Sequence, residues 1–201
     1  MKANRRWFFV AATLLVVLFL FASYSRGDGD EAQFQWDLIS VDANINLRAG
    51  GQDSAGAADN STLTLTGSGT FIEPASGGTS SAVTGGGTWE TFSGTTSTGR
   101  GTYEATSLVR FTLAPCTVPT CVSGFGGTDL VGNESDARAG LAVLRIKYSD
   151  GDSGVLVVSC NLNGTPANVF EGIIASKGFV EFWNQAANGA NSATIFHVLH
   201  R

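Results

Sequence analysis

The sequence predicts an all-β fold, a single domain of about eight mostly antiparallel strands that form a barrel or a strongly curved sheet. Apolar and polar residues alternate along most segments, as in "TLTLTGSGTF" at 62–71, which is the period of a half-buried strand. Glycine supplies 26 of 201 residues, and its placement among the apolar positions is a means of bending sheets. A β-sandwich is the alternative.

Residues 1–25 are predicted to be a helical signal peptide. A basic head precedes an almost unbroken apolar run of sixteen residues at 7–22, whereas a membrane-spanning helix needs about 20. Tyr24 fits poorly in a cleavage site after Ser25, so an uncleaved anchor stays open. We expect the protein to be exported (secreted, periplasmic or at the cell surface) and to touch a membrane only through this segment, if it is retained.

The mature chain is predicted to consist of a polar leader, residues 26–32, and a β-domain, residues 33–201. Removing residues 1–25 takes away three basic groups and no acidic ones, so the formal charge moves from −5 to −8. An acidic chain without a basic stripe is a poor match to nucleic acid, and we expect no nucleic-acid partner.

The strands follow from the alternation, in chain order. The segments are "QFQWDLISV", "TLTLTGSGTF", "VTGGGTW", "GRGTYEATSLVRFTL", "AGLAVLRIKY", "GVLVVSCNL", the pair "VFEGII" and "GFVEFWN", and "TIFHVL". Between the fifth and sixth, Asp150-Gly151 predicts a tight turn. These two strands are apolar on both faces, so a loop, the 33–48 segment or a second subunit should cover them.

Three repeats of the form Gly-x-Gly-Thr-aromatic read "GSGTF", "GGGTW" and "GRGTY". A phosphate-binding loop would require a helix to begin directly after the glycines, and strand residues follow instead. The alternation places the glycines and the rings on one buried face and the threonines on the other. The repeats are therefore interpreted as sheet architecture.

Three cysteines are present, an odd number for an exported protein. The compact loop "CTVPTC" favours a disulfide between Cys116 and Cys121. Cys160 lies in an apolar strand and is expected to be a buried thiol.

No catalytic residue, metal site or cofactor is predicted. "GDSG" at 151–154 resembles a serine-protease nucleophile segment, but both histidines follow it, at His197 and His200, where that arrangement needs a base upstream. Asp150 and Asp152 resemble the start of a calcium loop, yet its twelfth position holds Asn161. His197 and His200 fall on opposite faces of a strand, which disfavours a zinc pair.

Eight rings at core-facing or ambiguous positions suggest a ligand cavity beside the glycines. They are Trp36, Phe71, Trp89, Tyr103, Phe111, Phe170, Phe179 and Trp183. We take Trp36, Phe71, Trp89, Tyr103 and Phe111 as the candidate lining. A filled core is the alternative.

The C-terminal half, together with "GSGTF" and "GGGTW", resembles a group of small exported β-proteins encoded in bacterial genomes. The carrying segments are "DARAGLAVLRIKYSDG", "GVLVVSC", "VFEGIIASKGFVEFWN" and "IFHVL". The resemblance implies a bacterial exported β-protein and no particular activity. A weaker similarity, in strand number and glycine-rich strand starts, is to eight-stranded barrels of the dirigent and lipocalin kind, which implies architecture alone.

These observations predict a non-catalytic binding module that takes a small apolar or aromatic ligand, or a protein partner, on its β-scaffold. The first alternative is a structural or adhesive protein at the cell surface that associates with itself. The strands that are apolar on both faces favour this alternative. An enzyme of unidentified class is the second alternative, because no nucleophile, base and orienting group can be assembled from these residues.

Overall fold

The computed structural model describes residues 31–74, 76–115, 126–186 and 192–200. Within them the fold is all-β, as predicted, and the strands pair antiparallel. The strands are β1 (Ala32–Val41), β2 (Leu47–Ala49), β3 (Gln52–Gly56), β4 (Ser61–Thr66), β5 (Ser68–Glu73), β6 (Gly86–Ser93), β7 (Thr96–Leu113), β8 (Ala137–Arg138), β9 (Gly140–Tyr148), β10 (Ser153–Cys160), β11 (Gly172–Lys177), β12 (Val180–Phe182), β13 (Asn184–Gln185) and β14 (Ser192–Leu199). The helical structure in these ranges is a 3₁₀ turn at Glu134–Asp136. The predicted signal peptide, most of the predicted leader and the Cys116–Cys121 bridge lie outside the described residues.

All described strands belong to one sheet with the order β12-β11-β10-β9-β7-β6-β5-β1-β14-β8, and β2, β3, β4 and β13 pair as side branches. The prediction of about eight strands was wrong, because the described ranges hold fourteen. Bends divide segments that the alternation shows as continuous: Gly67, with φ 150°, separates β4 from β5.

The predicted barrel was also wrong, because the sheet is not closed. At Gly67 the pairing partners change: β4 pairs with β3 and β6, whereas β5 pairs with β1 along its length and with β6 at Ser68. The sheet does curve around a core. Trp36 of β1 and Ile173 of β11, which are far apart in the strand order, belong to one buried cluster.

Glycines of the first two repeats lie where the backbones of neighbouring strands approach most closely. A Cβ added to Gly69 would lie 2.1 Å from the carbonyl oxygen of Thr84, and one added to Gly87 would lie 1.9 Å from that of Thr66. Neither distance leaves room for a side chain. These glycines therefore permit the backbones to meet at the branch of the sheet.

The third repeat has a different role. Gly101 pairs directly with Trp89 across the β6–β7 ladder, and a Cβ on Gly101 would lie 2.9 Å from the indole Nε1. The Trp89 ring thus lies over a glycine of the neighbouring strand. The glycine fixes where the tryptophan ring can rest.

Of the two C-terminal strands with a two-sided apolar pattern, β10 is covered as predicted. β9 is not, because its buried residues alternate with partly buried or exposed ones over residues 141–147. All five residues 156–160 of β10 are buried, and the Ser159 hydroxyl donates to the Phe170 carbonyl oxygen at 2.7 Å. A packed loop therefore supplies cover at this end of β10. The turn at Asp150-Gly151 is confirmed: the Gly151 amide donates to the Tyr148 carbonyl, and Gly151 has φ 99°.

Candidate functional site

The five predicted lining residues are all buried, with exposures of 0–7 % for Trp36, Phe71, Trp89, Tyr103 and Phe111. They do not form one group around one space. Phe71 and Phe111 pack against two further rings, Phe34 and Phe196. The ring centroids of Phe34, Phe71 and Phe111 lie 4.6–5.6 Å from one another, and those of Phe111 and Phe196 lie 5.2 Å apart. We name these four rings, Phe34, Phe71, Phe111 and Phe196, the Phe cluster. Its rings fill the space between the strands with one another.

Trp89 and Tyr103 belong to a second group, centred on Tyr148. The Trp89 and Tyr148 centroids lie 5.8 Å apart in an edge-on arrangement, and those of Tyr103 and Tyr148 lie 6.3 Å apart. The Tyr103 hydroxyl donates to the Thr66 carbonyl oxygen at 2.9 Å. The Trp89 indole N–H is buried and finds no acceptor among the described residues.

Lys177, at the end of β11, brings a charge to this second group. Its ammonium lies 4.4 Å from the Trp89 ring centroid and 5.0 Å from that of Tyr148, which are cation–π distances. It also forms salt bridges with Asp150 and Asp152 of the β9–β10 turn. Burial lowers the pKa of Lys177, but the two carboxylates outweigh it and raise the pKa above its ordinary value. The pKa of Asp150 is lowered, chiefly by its hydrogen bond with Lys177.

A cleft of about 340 Å³ opens beside this ammonium. We name it the hydroxyl cleft, because Ser61, Thr91 and Thr98 line it together with Trp89, Lys177 and the two aspartates. The Thr98 hydroxyl donates to the Thr91 hydroxyl oxygen at 2.9 Å. The hydroxyl cleft is lined by hydroxyl groups, an aromatic ring and paired charges. Such a lining suits a ligand that is itself rich in hydroxyl groups.

A second cleft, of about 410 Å³, adjoins the first at Val180, which lines both. We name it the ring cleft, after Phe179 and Trp183. The Phe179 side chain is fully exposed and Trp183 is 55 % exposed. Ala57, Ala58, Asp59, Glu181 and Asn184 complete the lining. The residues 179–183 form what we call the β12 surface.

The local sequence explains why these rings point outward. Gly178, with φ 57°, occupies the turn that bends β11 back into β12, and Phe179 stands at that turn. Along the strand successive side chains alternate, and Phe182 is 2 % exposed in the core. Glu181 and Trp183 therefore face outward. β12 is also the terminal strand of the sheet order.

Buried titratable groups lie elsewhere in the molecule. His197 and Asp129, with side chains 3 % and 1 % exposed, meet at 2.7 Å between the His197 Nε2 and the Asp129 Oδ2. His200, in contrast, is 71 % exposed and contacts Asp136 at 2.9 Å. The expectation that the two histidines face different ways is confirmed. No group of three His, Cys, Asp or Glu residues within the described ranges is arranged to hold a metal ion.

Two further carboxyl groups, those of Asp53 and Glu171, have pKa values that burial raises. Burial raises the pKa of Asp53 to about 6, against hydrogen bonds from the Ser54 and Ile173 amides. Burial also raises the pKa of Glu171 to about 7, although its carboxylate accepts the Asn161 and Thr194 amides at 2.6 Å. Glu171 ties β14 to the segments that flank β10 and β11, and this is a structural role.

A scan against protein-family models finds no match, and searches of curated proteins and of solved structures find none either. The resemblance to small exported bacterial β-proteins stays a prediction. No helix in the described part of the chain is long and apolar enough to cross a membrane.

Sequence reasoning missed Lys177 as a site residue and did not place Phe179 and Trp183 in the candidate lining. Strand parity carries the signal for Trp183, since it alternates with a core-facing Phe182. The signal for Phe179 is the turn sequence "SKG" that directly precedes it. Lys177 meets Asp150 and Asp152 across 25 to 27 residues of sequence, and such a contact has no local signature.

Proposed function

We propose that the protein is an exported, non-catalytic binding module whose ligand or partner packs against the β12 surface. The observation that carries this proposal is the exposure of Phe179 and Trp183, which flank β12, one of the two strands that end the sheet order. Export rests on the character of residues 1–25, and the ring-binding mode rests on the geometry of the ring cleft.

The exposed rings support binding because large apolar groups that are grouped at a surface are typical of interaction sites. Val180, between the two rings, is 41 % exposed. Aromatic side chains supply large contact area with few rotatable bonds, so that little conformational entropy is lost when a ligand orders them. The ring cleft thus has the composition of a contact surface.

The pairing of the nearby charges supports a non-catalytic role. Lys177 is engaged by two carboxylates, and Asp59 accepts the Ser61 amide at 2.9 Å and its hydroxyl at 2.6 Å. The Ser61 hydroxyl is the leading cause of the lowered pKa of Asp59. General acid–base catalysis instead requires a group that can exchange a proton with the ligand near neutral pH.

A fluorescent hydrophobic probe, bis-ANS, tests the proposed location. We expect the full-length chain to bind it, and Trp183→Ala and Phe179→Ala each to reduce binding by about fivefold or more. Leu113→Ala is the matched control, because Leu113 is 50 % exposed and lies outside both clefts. Equal probe binding by all four proteins would show that the β12 surface is not the contact surface.

Light scattering separates a ligand from a second copy of the chain as the occupant. A concentration-dependent dimer that Trp183→Ala abolishes would favour the self-association alternative. A monomer at all concentrations supports a separate ligand.

A further inference from the structure

We propose, resting on the proposed function, that the ligand is an uncharged saccharide chain that lies along β12 across the ring cleft and the hydroxyl cleft. Three features of these clefts carry the inference: their adjacency, the groups that line them, and the prior pairing of their charges.

The two clefts form one elongated surface. Val180 lines both, and each volume, about 340 and about 410 Å³, falls within the range of small-ligand sites. Phe179, at the turn, and Trp183, directly after β12, are four positions apart, and an extended chain of that length spans up to about 13 Å. A chain of linked units matches this length, and a single compact molecule would engage only one end of it.

The lining matches the two kinds of surface that a sugar unit presents. A pyranose ring has an apolar face of C–H groups and a rim of hydroxyl groups. Phe179 and Trp183 offer exposed apolar ring surface to the first. Ser61, Thr91 and Thr98 offer hydroxyl oxygens to the second. Their hydrogens are donated to Asp59, Gly99 and Thr91, so these oxygens serve as acceptors for the hydroxyl groups of a sugar.

The state of the charges favours an uncharged ligand. Lys177 lies between Asp150 and Asp152, and the Asp59 carboxylate accepts two hydrogen bonds from Ser61. A charged ligand would have to compete with these contacts. Glu181 of the ring cleft is the one lining carboxylate without a salt bridge or hydrogen bond among the described residues. A basic peptide would therefore find a single free carboxylate here, whereas hydroxyl groups can use the remaining lone pairs of the paired ones. A purely apolar ligand would displace water from the remaining lone pairs of these carboxylates and hydroxyl oxygens and offer them no donor.

The test is retention of the full-length chain on insoluble neutral polysaccharides, namely cellulose, chitin, β-1,3-glucan and starch. We expect retention on at least one of them and elution by its soluble oligosaccharide. Trp183→Ala should weaken retention about tenfold. Thr98→Val, which replaces a hydroxyl group of the other cleft by a methyl group, should weaken it about threefold. Leu113→Ala should leave it unchanged.

Each other outcome overturns the inference in a distinct way. Retention on none of the four polymers, with bis-ANS binding still dependent on Trp183, would refute the saccharide and leave the binding module standing. Capture by an immobilised lysine-rich peptide, lost in Trp183→Ala, would identify a basic peptide instead. Retention that Trp183→Ala and Thr98→Val leave intact would place the saccharide elsewhere, and unchanged melting temperatures of the variants would exclude misfolding as a cause of any loss.

Discussion

The Phe cluster and the β12 surface are built from the same kind of residue and have opposite environments. Phe71 is wholly buried among other rings, whereas Phe179 is fully exposed and Trp183 half exposed. Phe71 lies in a strand with neighbours on both sides, and Phe179 stands at a turn before the terminal strand. An aromatic residue therefore indicates apolar area, while its place in the strand order decides whether that area becomes core or contact surface.

Removing a ring from the Phe cluster should have the largest effect on stability. Phe71→Ala deletes a wholly buried ring that contacts three other rings, and the cavity remains between strands that cannot collapse. We expect the free energy of unfolding to fall by about 3–5 kcal/mol, as measured by urea denaturation. Retention on polysaccharide should be unchanged under conditions where the variant is folded. A loss below 1 kcal/mol would show that the cluster is loosely packed.

A side chain at the backbone crossing should have the next largest effect. In Gly87→Val the added Cβ would lie 1.9 Å from the Thr66 carbonyl oxygen, and backbone must move to relieve the overlap. We expect a loss of about 2–3 kcal/mol in urea denaturation. Thr88→Val is the control, because it places the same side chain at the neighbouring, exposed position. An equal loss in both variants would contradict the close approach of the two backbones at Gly87.

The third effect is the pH dependence of the free energy of unfolding, which buried carboxyl groups should control and exposed ones should not. The pKa of Asp53 is about 6 in the fold and near 3.8 in the unfolded chain, so the folded state binds more protons between these values. The free energy of unfolding therefore falls as pH rises from about 4 to about 6. Glu171, with a pKa of about 7, extends the fall toward neutral pH. Asp129 acts in the opposite sense: the His197 contact and two amide hydrogen bonds overcome burial and lower its pKa, so its contribution is lost only below about pH 4.

Asp53→Asn tests this directly. We expect the variant to exceed the parent in stability by about 1–2 kcal/mol at pH 8, with a smaller difference at pH 5. Glu181→Gln, on the exposed side of β12, serves as the control and should leave the pH dependence unchanged. A parent protein that is more stable at pH 8 than at pH 5 would contradict the prediction.

The sequence was sufficient for the fold class because alternation is local. It placed Trp36, Phe71 and Trp89 on the buried face correctly. It could not show that Gly67 divides the sheet, since the pattern of buried and exposed residues continues across that bend. The barrel failed for this reason. The strand number failed also because β2, β3 and β8 lie outside the segments that the sequence marks as strands.

The candidate site was less accessible to sequence reasoning. A pattern of alternating residues separates two faces of a strand but does not say which strand ends the sheet. Trp89 and Trp183 follow similar patterns, yet Trp89 pairs across to Gly101, whereas Trp183 follows β12, a strand that ends the sheet order. That distinction is a property of the pairing order, which depends on contacts between distant parts of the chain.

A smaller effect is expected where the core meets the clefts. Lys177→Met keeps an apolar side chain of similar length over Trp89 and removes the charge between Asp150 and Asp152. We expect a loss of about 1 kcal/mol, reduced in 1 M salt because salt screens the remaining repulsion between the carboxylates. Arg145→Met, at an exposed position of β9, is the control for removal of a positive charge. A loss that is independent of salt would assign the effect to packing alone.

The smallest effect on stability should come from Trp183. Because it is 55 % exposed and directly follows a terminal strand, Trp183→Ala should change the free energy of unfolding by no more than about 0.5 kcal/mol. The same change is expected to remove most binding. Loss of Trp183 should therefore affect binding and hardly affect stability, whereas loss of a ring of the Phe cluster should affect stability and leave binding unchanged. The measurement is urea denaturation and polysaccharide retention on one preparation, with Leu113→Ala beside it. A Trp183→Ala variant destabilised by 2 kcal/mol or more would show that its ring supports the fold, and the contrast between the two ring groups would then fail.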